Sequence, residues 1–156
     1  MTILVTAASG HFGPLVVESL LARGADPADI IASARDTSKL EELAARGIRT
    51  VELDYARPET IAPALEGVDT VLLVSGTDFG NRVAQHQNVI DAAKAAGVTK
   101  LVYTSAPHAT TADFAIAPEH KGTEEAIAAS GVPAVDRKST RLNSSHQSVS
   151  RMPSSA

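Results

Sequence analysis

Residues 3–13 read ILVTAASGHFG, and the fold follows from this stretch. Ile3-Leu4-Val5 is an apolar run long enough for one strand buried on both faces. It feeds a loop of small residues, Thr6-Ala7-Ala8-Ser9-Gly10. Gly13 then opens a helix whose apolar residues Leu15, Val16, Leu20 and Leu21 recur at helical spacing. A strand, a small-residue turn and a helix N-terminus form an anion site, because free backbone N–H groups and the positive helix end meet at one point. Small side chains let a pyrophosphate approach the backbone closely. Ala7, Ala8, Ser9, Gly10, His11, Phe12 and Gly13 are therefore assigned to a phosphate-binding loop.

Working outward, the pattern alternates. Short runs rich in Val, Ile and Leu read as strands at 2–6, 29–34, 49–53, 69–74 and 100–104. Helices are expected between them. The first covers 12–23, and the second is capped by Thr37 or Ser38 and runs to about Arg46, with Gly47 as its stop. The third starts near Pro58 and ends by Gly67. The fourth spans 81–96, with Val83, His86, Val89, Ile90 and Ala93 on one stripe and Gly97 as its stop. The fifth runs from near Pro118 to Gly131, and Val132–Val135 reads as the start of a sixth strand, cut short. Strands alternating with helices imply an α/β fold with a doubly wound parallel sheet of the Rossmann type, truncated in or before the sixth strand.

Length and composition bound the function. At 156 residues one domain is expected. A net charge of −4 argues against a nucleic-acid surface. Aromatic residues are only 3 %, so the core must be aliphatic. Without cysteine there is no disulfide, thiolate metal site or thiol nucleophile, and no His, Asp and Glu set has metal-ligand spacing, so no metal is expected. Met1-Thr2 runs straight into strand residues, with no basic leader and no apolar segment long enough for a membrane span, so a cytoplasmic location is expected. The sequence leaves a homo-oligomer open.

Composition changes at Asp136. Residues 136–156 are rich in serine and basic residues and almost free of apolar ones, as in a disordered tail. DRKSTRLNSSH and SRMPSSA also resemble, in order, the translation of two fixed parts of a common sequencing adapter, with Gln147-Ser148-Val149 over the variable index between them. The expected organisation is a truncated nucleotide-binding domain over 1–135 and a non-native or disordered tail over 136–156, to which no role is given.

In a doubly wound sheet the ligand lies beyond the carboxyl ends of the strands. After the second strand come Ser33, Ala34, Arg35 and Asp36, with Lys39 one turn on. An NAD site usually places a carboxylate at this strand end, whereas the planar fork of Arg35 suits a 2′-phosphate. NADP (as NADPH) is therefore expected, with NAD less favoured, although Asp36 is placed either to pair with Arg35 or to take the NAD role. Asp54 and Tyr55 follow the third strand and are placed to meet the adenine edge. Ser75, Gly76 and Thr77 follow the fourth, beneath the ribose and nicotinamide, and Thr104 and Ser105 end the fifth, near where hydride leaves.

The Thr6–Gly13 loop, Ala34-Arg35-Asp36, Asp54-Tyr55, Arg82-x-x-Gln85-His86-x-Asn88, the run Asp91–Val98 and Tyr103-Thr104-Ser105 together resemble the NmrA-like branch of atypical short-chain dehydrogenases/reductases, in particular its bacterial NADPH-dependent quinone reductases. The resemblance spans residues 1–135. It implies NADPH binding, two-electron reduction of a quinone or similar electrophilic acceptor, and a smaller C-terminal substrate domain that this chain lacks. Two departures stand out. The family's loop usually begins with Gly where this chain has Ala7, whose Cβ resists a positive φ. The Tyr-x-x-x-Lys pair of ordinary short-chain dehydrogenases is replaced by His120 and Glu124, which argues against alcohol dehydrogenase or sugar epimerase chemistry.

Ser105 and His120 are the candidate catalytic residues, and His120 is read as a proton donor because imidazole titrates near neutral pH. Ser105 has no evident base partner in the sequence, which argues against hydrolase chemistry. His86 is read as a satisfied core residue, Asn88 as a brace for the fourth-strand loop or a solvent-facing side chain, His11 as a backbone contributor, and His108 as a loop residue on the substrate side. Two functions follow: an NADPH-dependent quinone oxidoreductase, or a non-enzymatic NAD(P)-sensing regulator. A chain truncated as read here is expected to be marginally stable and a poor catalyst, because its sheet edge stays open.

Overall fold

The computed structural model describes residues 1–106, 108 and 114–138, the last three of these by their backbone alone. Six strands are present: β1 (Ile3–Val5), β2 (Ile30–Ala34), β3 (Arg49–Glu52), β4 (Thr70–Leu73), β5 (Lys100–Ser105) and β6 (Ala134–Lys138). All pair in parallel, in the order β3-β2-β1-β4-β5-β6. The helices are α1 (Phe12–Ala22), α2 (Glu41–Ala45), α3 (Pro58–Ala64), α4 (Arg82–Ala95) and α5 (Ala117–Ser130). The chain winds outward in one direction over β1 to β3 and in the other over β4 to β6, so the switch point lies between β1 and β4.

Successive strand residues point to opposite faces, and two cores follow from that alternation. Leu4, Ile31, Val71, Leu73 and Leu101 pack with Ile61 of α3, Val89 and Ile90 of α4 and Ile127 of α5. On the other face Val5, Ile30 and Ala32 pack with Val17 of α1 and with Leu40 and Leu43. Each fully buried aliphatic side chain contributes about 1.5–3 kcal/mol.

Several boundaries differ from the sequence reading. The second helix is shorter: a 3₁₀ turn covers Thr37–Leu40, and its cap is Asp36, not Thr37 or Ser38. Asp36 Oδ1 accepts from the Ser38 N–H at 3.0 Å and from its hydroxyl at 2.6 Å. A further 3₁₀ turn at Pro27–Asp29, capped by Asp26, precedes β2. The buried stripe of α4 begins at Arg82 instead of Val83. Val83 faces α5, where a Cβ on Gly122 would lie 3.0 Å from its Cγ2, so the absent side chain permits close helix packing. The sixth strand, expected to be cut short after Val135, continues through Lys138. Its ladder opposes Tyr103, Thr104 and Ser105 with residues 136–138, and backbone pairing of this kind does not depend on side-chain identity. The rest of the tail, 139–156, and Pro107 beside His108 lie outside the described residues. Among the described residues no helix is long and apolar enough to cross a membrane.

Candidate functional site

An open groove of about 340 Å³ runs along the carboxyl ends of β2, β1 and β4. Ala7, Ser9 and Gly10 line its middle, Ala34 and Arg35 the β2 end, and Ser75, Gly76 and Thr77 the β4 end. Asp54 and Tyr55 line it from the loop after β3. Nine of the residues that the sequence assigned to the cofactor are thus brought together: Ala7, Ser9, Gly10, Arg35, Asp54, Tyr55, Ser75, Gly76 and Thr77. Leu53, Ala56, Asp78 and Gln85 also line it and were missed by the sequence reading. For Gln85 the signal was its place three residues after Arg82 in the quoted helix motif, on the face that meets the loop.

The first loop is built by two close approaches. Ala7 takes a φ of +50°, and its carbonyl accepts from the Gly10 N–H at 3.0 Å, closing a tight turn. Gly13 passes beneath that turn: a Cβ there would lie 2.5 Å from the Ala7 oxygen and 2.6 Å from Ala8 Cα. His11, at the start of α1, makes no side-chain cap, which leaves the first-turn amides to a ligand. Ala8 is 1 % exposed, its N–H given to Ser33 O at 2.8 Å, so it shapes the loop from below. His11, Phe12, Gly13 and Lys39 do not line the groove.

At the β2 end Arg35 is exposed, and its guanidinium has no salt bridge among the described residues. Asp36 does not pair with it, because its carboxylate caps the following turn. The hydrogen bonds from Ser38 hold the Asp36 carboxyl below its ordinary range.

Tyr55 lines the groove with its ring while its hydroxyl ties strands together. It donates to Val74 O at 2.7 Å and meets Thr6 Oγ1 at 2.5 Å. Burial raises its phenol pKa, so it stays neutral. Asn88 donates to Tyr55 O at 2.8 Å, so it braces the loop after β3 and takes neither of the two places, the fourth-strand loop or solvent, that the sequence offered.

Side chains from three elements hold the loop after β4. Ser75 N–H donates to Thr104 Oγ1 at 2.8 Å. Gly76 N–H donates to His86 Nε2 at 2.9 Å, and Gly76 O accepts from Arg82 Nε at 2.7 Å. Arg82 forms a buried ion pair with Glu119 of α5 at 3.1 Å, and the other Glu119 oxygen accepts from the Gly80 N–H at 2.5 Å. Because Nε2 accepts, the His86 proton sits on Nδ1 and faces Thr123 Oγ1 at 2.9 Å; Thr123 in turn donates to Glu119 O. Burial, reinforced by the Arg82 charge, pushes the His86 pKa down to about 3, so the ring is neutral. His86 is a fully buried residue with both ring nitrogens satisfied, as the sequence suggested. Arg82, quoted only as part of the helix motif, and Glu119 were given no site role from sequence, since their partners lie on different elements.

The structure does not bring Ser105, His120 or Thr104 into the groove. His120 is 4 % exposed, and its Nδ1 lies 2.7 Å from the Tyr103 hydroxyl. Burial lowers its pKa, with the Arg82 charge acting in the same direction, and burial lifts the Tyr103 phenol to about 12. Ser105 is 5 % exposed and donates to Glu124 Oε1, a partner that the sequence did not suggest. Among the described residues no group of His, Cys, Asp and Glu side chains is arranged to hold a metal ion.

A dinucleotide fits these residues, because a turn without bulky side chains and an arginine with no salt bridge among the described residues line one groove over the switch point, beside the N-terminus of α1. Known proteins agree. The profile of a family described as NAD(P)H-binding matches residues 7–143. Quinone oxidoreductase 2 of Escherichia coli (strain K12) is 42 % identical over 130 residues, 83 % of this chain and 45 % of that protein. An NmrA-like family domain-containing oxidoreductase of Aspergillus flavus is 30 % identical over 139 residues, 85 % of this chain and 45 % of that protein. The crystal structure of an NADPH-dependent quinone oxidoreductase from Escherichia coli complexed with NADPH superposes with a TM-score of 0.84 at 40 % identity, covering 88 % of this chain and 48 % of that one. Citrobacter triphenylmethane reductase complexed with NADP(H) superposes with a TM-score of 0.85 at 34 % identity, covering 88 % of this chain and 49 % of that one. The chain thus spans about half the length of the relatives it matches. With its six-stranded parallel sheet and the groove at the switch point, the chain belongs to the NAD(P)H-binding, NmrA-like family of Rossmann-type domains.

Proposed function

We propose that this chain is the nucleotide-binding half of an NADPH-dependent oxidoreductase that reduces quinones by two-electron hydride transfer. The observation that carries the reading is Arg35, without a salt bridge among the described residues, at one end of a groove whose middle is the small-residue Ala7–Gly10 turn. The quinone oxidoreductases among its relatives support the acceptor class.

Bound NADPH supplies the hydride. The chain's own residues bind and orient. The Ala7–Gly10 turn holds the pyrophosphate near the positive N-terminal end of α1, and Arg35 pairs with the 2′-phosphate, with Lys39 adding positive charge nearby. Asp54 and Tyr55 border the adenosine, while Ser75, Gly76 and Thr77 border the opposite, nicotinamide end. Tyr103, His120, Ser105 and Glu124 brace β5 against α5 from below. With His120 and Ser105 committed to internal partners, solvent provides the proton for the acceptor oxygen. The acceptor itself is closed in by residues beyond this chain, supplied by a second domain.

The test is NADPH oxidation with benzoquinone as acceptor, comparing this chain with a protein of its relatives' full length that begins with these residues. Quinone-dependent, saturable oxidation by the longer protein is expected, with much less from the chain alone. Binding of NADPH without oxidation by the longer protein would overturn the reductase reading and favour a nucleotide sensor.

A further inference from the structure

The loop after β4 is held on both sides of one residue, which is unusual for an exposed connection. Gly76 offers its N–H to His86 and its carbonyl to Arg82. Four residues on, the Gly80 N–H is held by Glu119, which also pairs with Arg82. Arg82 and Glu119 are therefore one buried bracket that fixes both ends of Gly76–Gly80. The bracket is costly: Arg82 is only 5 % exposed, and its contact with Glu119 lacks hydrogen-bond alignment. A buried ion pair of this kind adds little to stability over an apolar pair of similar volume. Its presence calls for another role.

Position supplies one. Arg35 and the first loop occupy the β2 and β1 parts of the groove, which leaves the β4 part to the nicotinamide end of a dinucleotide. Gly76 lines that part beside Tyr55 and His86: a Cβ on it would make ordinary contact with both, 3.5 Å from the Tyr55 ring and 3.6 Å from His86 Nε2. We infer that Arg82 and Glu119, acting with His86 through Gly76 and Gly80, are positioning residues that preset the nicotinamide-side wall of the groove and do not serve the adenosine side. The inference rests on the dinucleotide reading above. The guanidinium also lies 5.0 Å from the Phe79 ring centroid, so the bracket fixes the tip of the loop as well.

The test compares two ligands on the chain itself. NADPH contacts the whole groove, whereas 2′,5′-ADP carries only the adenosine and 2′-phosphate portion. Two variants are used. Arg82→Lys keeps a charge opposite Glu119 but loses the bond to Gly76 O. The double variant Arg82→Met with Glu119→Met removes both charges together, so no buried charge is left unpaired and the fold is retained. Both variants are expected to lose about tenfold in NADPH affinity, the scale of one or two hydrogen bonds, with 2′,5′-ADP affinity unchanged. Equal loss for the two ligands would mean general loosening and would overturn the inference, as would no loss for either. An unaltered chain that binds 2′,5′-ADP but gains nothing from the nicotinamide half overturns it too. An unaltered chain that binds neither ligand overturns the dinucleotide reading itself.

Discussion

Gly13 and Ala7 meet so closely that a Cβ on Gly13 would lie 2.5 Å from the Ala7 carbonyl oxygen. Both partners of that clash are backbone, so no side-chain rotation relieves it. Gly13→Ala must push the first loop away from α1. The expected cost is about 2–4 kcal/mol, read as a lower melting temperature, together with a large loss of NADPH affinity by titration. A variant as stable as the parent would show that the loop is not seated on the helix.

The partner residue predicts the opposite sign. Ala7 holds a φ of +50°, a conformation that costs an L-residue about 1–2 kcal/mol. Replacing it with glycine removes that strain but adds about 0.5–1 kcal/mol of chain entropy. Ala7→Gly should therefore stabilise the chain by up to about 1 kcal/mol and tighten nucleotide binding. Denaturant titration checks this, and a destabilised variant would show that the methyl group packs favourably.

Arg35 should decide which nucleotide binds. Its guanidinium is exposed at the β2 end, while Asp36 is committed to its cap. Arg35→Ala is expected to weaken NADPH by about 10- to 100-fold, as loss of a charge-assisted pair does, and to leave NADH nearly unchanged. Competition titrations with both nucleotides give the ratio directly.

Acid should loosen the α4–α5 side of the molecule. His86 is held neutral, its pKa lowered from 6.5 to about 3, and that of His120 is lowered too. Below about pH 6.5 the unfolded chain takes up protons on these rings that the folded chain refuses, so stability rises with pH in that window and is level above it. His86 alone accounts for about 2 kcal/mol of loss by about pH 5, above the range where carboxylates titrate. His86→Gln should flatten the slope of unfolding free energy between those pH values. An unchanged slope in the variant would place the titration elsewhere.

Much of this was legible from residue pattern. The run Ile3-Leu4-Val5 and its counterparts are short, apolar and evenly spaced, and they became β1 to β5 with boundaries shifted by a residue or so. The groove was legible because one topological rule places every strand-end loop on one edge. What was not legible depends on partners distant in sequence. Ser105 is satisfied by Glu124, and His120 by Tyr103. Arg82 reads as the first polar residue of a helix, and only the approach of α5 makes it a buried anchor. At the second helix a local competition decided: Asp36 outbid Thr37 and Ser38 for the cap, because its carboxylate accepts from both the amide and the hydroxyl of Ser38.

The central claim is that this chain holds NADPH in the groove over β2, β1 and β4. Calorimetric titration of the chain with NADPH and then NADH tests it most directly. The account predicts saturable one-to-one binding of NADPH, weaker binding of NADH, and loss of the difference in Arg35→Ala. No heat of binding with either nucleotide, or NADH bound as tightly as NADPH by the unaltered chain, would contradict it.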